Sequence, residues 1–179
     1  MASTIARAAL ALAALLSCGA DTMADQSLLQ RVRGVDGRAT ALIDEALWRS
    51  QTFQRIVDEV SASDLIVYVS RTELDGTLRG ALRFIGTGAD GGRYLLIELD
   101  DDFGNDLDGK SDRLAGIATL AHELRHALEV AGASHVQDPG SFDAFYTELG
   151  IGHRRDVVDT LAAQAVHAQV YFEMTGRKP

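Results

Sequence analysis

The chain is short of cysteine and of positive charge. Cys18 is the single cysteine among 179 residues, so no disulfide can form within the chain. Lysine and arginine together number 17, against 26 aspartates and glutamates, and the formal net charge at pH 7 is −9. Because nucleic-acid binding needs a basic face that neutralises phosphates, this balance argues against a nucleic acid as partner.

The apolar runs of the sequence are too short to cross a bilayer. Residues 8–16, directly after Arg7, contain only alanine and leucine, but a resident transmembrane helix needs roughly 20 such residues. A basic start, a short apolar stretch and small residues at positions 20–24 are typical of a secretory signal. We therefore expect cleavage after Ala24, which leaves residues 25–179 as one exported domain without a transmembrane span.

A second processing site competes with that cleavage. Leu15-Leu16-Ser17-Cys18 resembles a bacterial lipobox, in which the chain is cut before the cysteine and the cysteine is lipidated. The exported chain is then either soluble from Asp25 onward, or lacks residues 1–17 and carries a lipid anchor on Cys18. Both forms predict an extracytoplasmic location, periplasmic or secreted.

Helical and strand patterns follow each other along the exported chain. Apolar residues recur at spacings of three and four over residues 27–60, which predicts two or three helices. Val32 belongs to the first of these apolar stripes, and Trp48 is predicted to be a core or groove anchor. A β-branched and aromatic run then predicts a strand at residues 65–69. Two further candidate strands, at residues 78–85 and 93–99, complete a predicted small sheet of three strands.

The last third of the chain is predicted to be helical. Ser111 is a natural N-cap, apolar periodicity follows it, and Gly132 is a typical helix terminator. A further helix is expected over residues 156–172. With the N-terminal helices and the small sheet, these two helices predict an α+β fold.

The residues that point to a reaction are His122-Glu123-Leu124-Arg125-His126, an H-E-x-x-H pattern inside the first of these helices. At helical spacing the two histidines lie one turn apart on the same face, so both imidazoles can reach one metal ion. Glu123 lies about 100° round the helix from His122, where it can touch a water on that metal without being a ligand. Chance placement of the chain's five histidines and its glutamates would give about 0.006 such matches. The pattern predicts a zinc (Zn²⁺) site with Glu123 as the catalytic base.

A catalytic zinc needs a third protein ligand. In the metzincin pattern a glycine follows the first histidine by seven residues and a histidine follows it by ten, but this chain has Glu129 and Gly132 there, so that class is excluded. Asp159 is the preferred third ligand, because the residues at helical spacing after it are apolar and a lone carboxylate among them needs a partner. Glu148, Glu129 and His135 are also candidates for this position.

The H-E-x-x-H helix resembles that of the zincin metallopeptidases, of the gluzincin-like type. This resemblance implies a small sheet packed on the active helix, a cleft beside it, and hydrolysis of a peptide or protein substrate. The chain also resembles a group of uncharacterised secreted bacterial proteins in which H-E-L-x-H-A-[LV]-E precedes a helix with an E-T-x-A-A stretch. Here Asp159-Thr160-Leu161-Ala162-Ala163 occupies that place, with aspartate for glutamate.

Some roles stay open at the level of sequence. Tyr146, His153 and Arg154 are candidates for the donor that stabilises the substrate oxyanion, and His167 is expected to be structural. Two rival interpretations come from other functional classes. One is a zinc-binding module without turnover, and the other is a metal-free interaction protein in which H-E-x-x-H is accidental.

Overall fold

A computed structural model of the chain describes residues 30–75, 78–101, 110–149 and 159–176. The expected signal segment and lipobox therefore lie outside the described residues. The described helices and strands belong to one compact unit, Arg31–Pro179. In chain order they are β1 (Val32–Gly34), α1 (Gly37–Arg49), α2 (Gln51–Ser61), β2 (Leu65–Thr72), β3 (Gly80–Thr87), β4 (Arg93–Asp100), α3 (Lys110–Gly132), α4 (Pro139–Glu148) and α5 (Leu161–Thr175).

These elements confirm the predicted α+β class, with a mixed sheet among five described helices. The strand order is β1-β2-β4-β3; β1, β2 and β4 are parallel, and β3 is antiparallel to β4 at one edge. Buried residues alternate with half-buried ones from Leu65 to Ser70 in β2 and from Arg93 to Leu99 in β4, as expected for strands with one core-facing side. No helix among the described residues is long and apolar enough to cross a bilayer.

The predicted number of strands was wrong by one. The three predicted strands are present, each extended or shifted by a few residues, but Val32 lies in the additional strand β1 and not in a helix. This strand has only three residues, too few to show a period-two pattern, and it is defined by its parallel pairing with β2, where Val32 lies opposite Val67. Pairing with a distant segment overrides the local helical spacing.

The prediction for Trp48 was also wrong, because its side chain is 80% exposed. Helix α1 buries Ala39, Leu42, Ile43 and Ala46, which leaves Trp48 on the opposite side of the helix. The guanidinium carbon of Arg49 lies 5.3 Å from the centre of the tryptophan ring. The ring therefore packs against a neighbouring cation at the surface and does not anchor the core.

Helix α3, which carries the H-E-x-x-H pattern, is held at its C-terminal end by a buried arginine. Arg93 at the start of β4 is 2% exposed and donates hydrogen bonds to the carbonyls of Val130 and Ala133, each at 2.8 Å. Its guanidinium also pairs with both carboxylate oxygens of Asp64, at 2.7 and 2.8 Å. The last carbonyls of a helix lack partners within the helix, so one cation satisfies this helix end and ties it to the sheet. The helix ends at Gly132, as predicted.

Helix α5 begins later than predicted. The hydroxyl of Thr160 accepts a hydrogen bond from the backbone N–H of Ala163 at 3.1 Å, so Thr160 is the N-cap and Leu161 the first helical residue. Asp159 therefore precedes the helix and does not lie on one of its faces, which corrects the expected placement. Gly176 ends the helix in the left-handed conformation, with φ of 68°.

Helix α5 is joined to the start of α2 through the carboxylate of Glu173. Hydrogen bonds reach it from the hydroxyls of Ser50 and Thr52, both at 2.6 Å, from the backbone N–H of Thr52 at 3.1 Å, and from the amide of Gln169 at 3.0 Å. Burial raises the pKa of Glu173, but these hydrogen bonds outweigh it and hold the pKa at about 2. A carboxyl with a lowered pKa in the folded state stabilises the fold above its ordinary pKa of 4.5, and this stabilisation is lost as the pH falls towards 2.

We expect E173Q to lower the free energy of unfolding at pH 7 by about 1–3 kcal/mol, because a charged acceptor of several hydrogen bonds is lost. The difference from the unchanged protein should shrink to about half or less at pH 3. Urea denaturation at both pH values measures it, and E59Q, at an exposed position of α2, is the control. A difference of equal size at pH 3 and pH 7 would contradict the assigned role of this carboxylate.

Candidate metal centre

Helix α3 places two imidazoles side by side. His122 and His126 are one turn apart, and their Nε2 atoms lie 3.2 Å from each other. His126 is buried and His122 is half-buried. Burial and the neighbouring His126 lower the pKa of His122 to about 4, so the ring is neutral at neutral pH. The neutral imidazole is the form that binds a metal ion.

The structure brings Asp159 to these two histidines. Its Oδ1 atom lies 3.5 Å from Nε2 of His122, and the three ligand atoms of His122, His126 and Asp159 all lie within 4.8 Å of one another. Ligands at about 2.1 Å from a tetrahedral ion are separated by about 3.4 Å, which is close to two of the three separations found here, 3.2 and 3.5 Å. The third pair, His126 and Asp159, has its ligand atoms within 4.8 Å. Among the described residues, these three form the group of metal-ligating side chains with this property.

One carboxylate oxygen of Asp159 has the surroundings expected of a ligand atom. Its Oδ2 accepts a hydrogen bond from the side-chain amide of Gln164 at 2.7 Å, whereas Oδ1 is buried and has no hydrogen-bond partner. A buried acceptor without a partner is costly, and a cation at the common point of the triad would satisfy it. Two imidazole nitrogens and one carboxylate oxygen are a donor set that suits zinc with one open position.

Glu129 orients His126 and does not face the common point of the triad. Its Oε2 accepts a hydrogen bond from Nδ1 of His126 at 2.9 Å, so the hydrogen of this ring is on Nδ1 and the lone pair of Nε2 points towards His122 and Asp159. Burial raises the pKa of Glu129, but hydrogen bonds from His126 and from Thr160 lower it below its ordinary value. Glu129 thus orients His126 through a hydrogen bond to Nδ1, the ring nitrogen that does not face the other two ligands.

Two further candidates for the third ligand, Glu148 and His135, lie away from the triad. Glu148 is exposed at the end of α4, and His135 is exposed beside Phe145, with ring centroids 6.0 Å apart. Neither side chain belongs to the clustered group. Of the four residues that the sequence offered as third ligand, the structure places Asp159 next to the two histidines.

Glu123 is buried against the edge of the sheet. Its side chain is 8% exposed, and a Cβ atom added to Gly80 of β3 would lie 2.8 Å from its Oε1. Glycine at position 80 thus permits the close approach of β3 to the carboxyl group. Burial raises the pKa of Glu123 to about 7, against a smaller lowering by His126 and with a further raising by Asp159. A carboxyl with this pKa can accept and return a proton at neutral pH.

A cavity of about 210 Å³ opens beside these residues. Its polar lining residues are the triad and Glu123. The remaining lining comes from β3, from α4 and from the segment before β3, with Leu78, Gly80, Ala81, Leu82, Phe142 and Tyr146. The H-E-x-x-H helix therefore faces a cleft beside the sheet.

Comparisons with known proteins give no match, whether with protein-family models, with curated proteins or with solved structures. The gluzincin-like resemblance of the H-E-x-x-H helix accordingly stays a prediction. The chemistry of the site is carried by the three clustered ligands, the buried Glu123 and the cavity that they line together.

Of the three candidate oxyanion donors, the structure describes one. Tyr146 lines the cavity, but its hydroxyl donates a hydrogen bond to the backbone carbonyl of His126 at 3.0 Å, so this hydrogen is already in use. Burial raises the pKa of Tyr146 far above its ordinary value, which keeps the phenol protonated. His153 and Arg154 lie outside the described residues.

His167 of α5, expected to be structural, lies beside the triad. Its ring centroid is 6.2 Å from that of His122, and burial lowers its pKa.

Sequence reasoning missed the functional contacts of Gly80 and Thr160. No local signal marks Gly80, because its neighbour Glu123 is distant in sequence. Thr160, in contrast, lies in the stretch that resembles E-T-x-A-A, and this could have indicated its role.

Proposed function

We propose that the protein is a zinc-dependent hydrolase of peptide bonds. The observation that carries the proposal is the convergence of His122, His126 and Asp159, with ligand atoms 3.2 and 3.5 Å apart, beside the buried carboxyl of Glu123. These separations suit one tetrahedral ion, and the donor set suits zinc. Three protein ligands leave a fourth position open, which is the arrangement of catalytic rather than structural zinc sites.

The chain's own residues have distinct roles in this reaction. His122, His126 and Asp159 would hold the metal ion, which when bound would acidify a water and polarise the scissile carbonyl. Glu123 lies beside the triad and has a pKa of about 7, so it takes the proton of the attacking water and returns it to the leaving amine. Burial raises the pKa of Glu123 to about 7, so near neutral pH both the carboxylate that accepts the proton and the carboxylic acid that returns it are populated.

The position of the cavity beside an edge strand supports an extended peptide as substrate. Strand β3 is the last strand on its side of the described sheet, and Gly80, Ala81 and Leu82 of this strand line the cavity. An edge strand offers backbone groups to a further extended segment. A peptide paired with the edge of β3 would lie along the cavity that the three metal ligands also line.

We expect the purified exported protein to contain one zinc ion per chain and to cleave members of a peptide library. Treatment with a chelator should remove the zinc and stop cleavage, because a bound zinc would supply the acidified water. Added zinc should restore both the metal content and the cleavage. Elemental analysis and mass spectrometry of the peptides measure these quantities. H135A, at an exposed histidine away from the triad, is the matched control and should keep metal and activity.

Two results would contradict the proposal in different ways. A protein that binds zinc but cleaves no peptide would be a zinc-binding module. A protein that binds no zinc at all would make the H-E-x-x-H pattern accidental and the chain a metal-free interaction protein.

A further inference from the structure

A single carboxylate connects the two elements that carry the metal ligands. Oε2 of Glu129 accepts a hydrogen bond from Nδ1 of His126 at 2.9 Å, and Oε1 accepts one from the hydroxyl of Thr160 at 2.7 Å. The side chain of Glu129 is 14% exposed and Thr160 is 6% exposed, so water competes little for these bonds. The carboxylate thus bridges helix α3 and the residue that follows Asp159.

The hydroxyl of Thr160 serves two purposes at once. It donates its hydrogen to Glu129 and accepts the backbone N–H of Ala163, which starts helix α5. Asp159 is the residue directly before this N-cap, so its backbone position depends on where the cap is held. A change in the Glu129–Thr160 contact therefore moves the third ligand relative to the two histidines.

We infer that Glu129 and Thr160 are positioning residues that couple metal binding to docking of the start of α5 on α3. The inference rests on the proposed metal site. It adds that the hydrogen bonds of Glu129 fix the relative positions of ligands from two separate segments, His126 of α3 and Asp159 before α5. Glu129 fixes the tautomer of His126, and through Thr160 it holds Asp159 at the distance at which its Oδ1 lies 3.5 Å from His122. Metal binding in turn strengthens the same contact, because coupling between two sites is reciprocal.

The coupling requires the hydroxyl of Thr160 and not merely its shape. T160V keeps the size of the side chain but removes the hydrogen bond to Glu129 and the cap of α5, whereas T160S keeps both. We expect T160V to weaken zinc affinity about 10- to 100-fold, the usual effect of losing a residue that supports a ligand, and T160S to remain within about threefold of the unchanged protein. Competition with a chromophoric chelator measures these affinities.

A second N-cap separates positioning from loss of stability. Asp36 caps α1 by accepting the backbone N–H of Ala39 at 2.8 Å, and it is not part of the triad or of the cavity lining. D36A should lower the stability of the fold, as loss of a cap does, without changing zinc affinity. If D36A and T160V weaken zinc binding equally, general destabilisation explains both, and the coupling is refuted.

A double-mutant cycle tests whether Glu129 and Thr160 act as one unit. In the E129Q variant the side-chain amide has one acceptor oxygen, so it cannot accept hydrogen bonds from both His126 and Thr160. T160V should therefore reduce zinc affinity much less in this variant than in the unchanged protein. Additive effects, or equal losses in T160V and T160S, would overturn the inference while leaving the proposed function in place. If the unchanged protein binds no zinc, the proposed function fails as well, so the two failures are distinguishable.

Discussion

E123Q is expected to lower the rate of peptide hydrolysis by about 100- to 10,000-fold while leaving the zinc content unchanged. Glutamine has the size and shape of glutamate, so it fills the same space against Gly80, but it cannot accept the proton of the attacking water. Because Glu123 lies beside the triad and is not one of its three clustered members, its exchange leaves the ligand set complete. Single-turnover hydrolysis and elemental analysis of the same preparation measure both expectations.

The control for this prediction is E59Q, which makes the same chemical change at an exposed position of α2 and should retain full activity. If E123Q remains active, the proton is accepted by another group and the assigned mechanism is wrong. If E123Q instead loses its zinc, the carboxyl of Glu123 is a ligand or holds the ligands in place, and it is not simply a base.

Helix α3 buries polar side chains of the site in the protein core. A separate set of hydrogen bonds, at the C-terminal end of the helix, holds it in place. Glu123 and His126 are buried among apolar neighbours such as Ile117, Leu120 and Leu124. Burial of a carboxyl group costs free energy, as the raised pKa of Glu123 indicates. Arg93 at the C-terminal end of the helix, with its bonds to helix carbonyls and to Asp64, keeps α3 fixed against the sheet despite this cost.

Local patterns account for the parts of the structure that the sequence predicted correctly. The spacing of His122 and His126 within one helix is a property of consecutive residues, and so is the β-branched run of β2. The α+β class follows from such patterns alone. The same patterns placed Asp159 near the metal-binding face but within the helix, because they do not reveal that the hydroxyl of Thr160 caps α5 one residue later.

The features that the sequence did not predict depend on contacts between distant segments. Strand β1 exists through its pairing with β2, and the exposure of Trp48 follows from which face of α1 meets the core. The role of Gly80 appears only when β3 lies against Glu123, 43 positions further along the chain. Whether Glu129 is a ligand or a support depends on which nitrogen of His126 it reaches, and spacing along a helix does not settle this.

D159A is expected to lower zinc affinity more than about 100-fold, whereas E148A should leave it nearly unchanged. Asp159 would supply the third protein ligand, and losing a ligand costs more than the 10- to 100-fold that follows loss of a supporting residue. Its Oδ1 is buried without a hydrogen-bond partner beside His122, while Glu148 is exposed at the end of α4. Competition with a chromophoric chelator at constant pH gives both affinities.

The order of the two effects is the decisive result, because both variants remove one carboxylate and the same unit of negative charge. D159N adds a finer test: it keeps the size and one oxygen of Asp159 but removes its charge, so its zinc affinity should fall between those of D159A and the unchanged protein. If E148A weakens zinc binding more than D159A does, the third ligand is Glu148, and the start of α5 does not contribute to the metal centre.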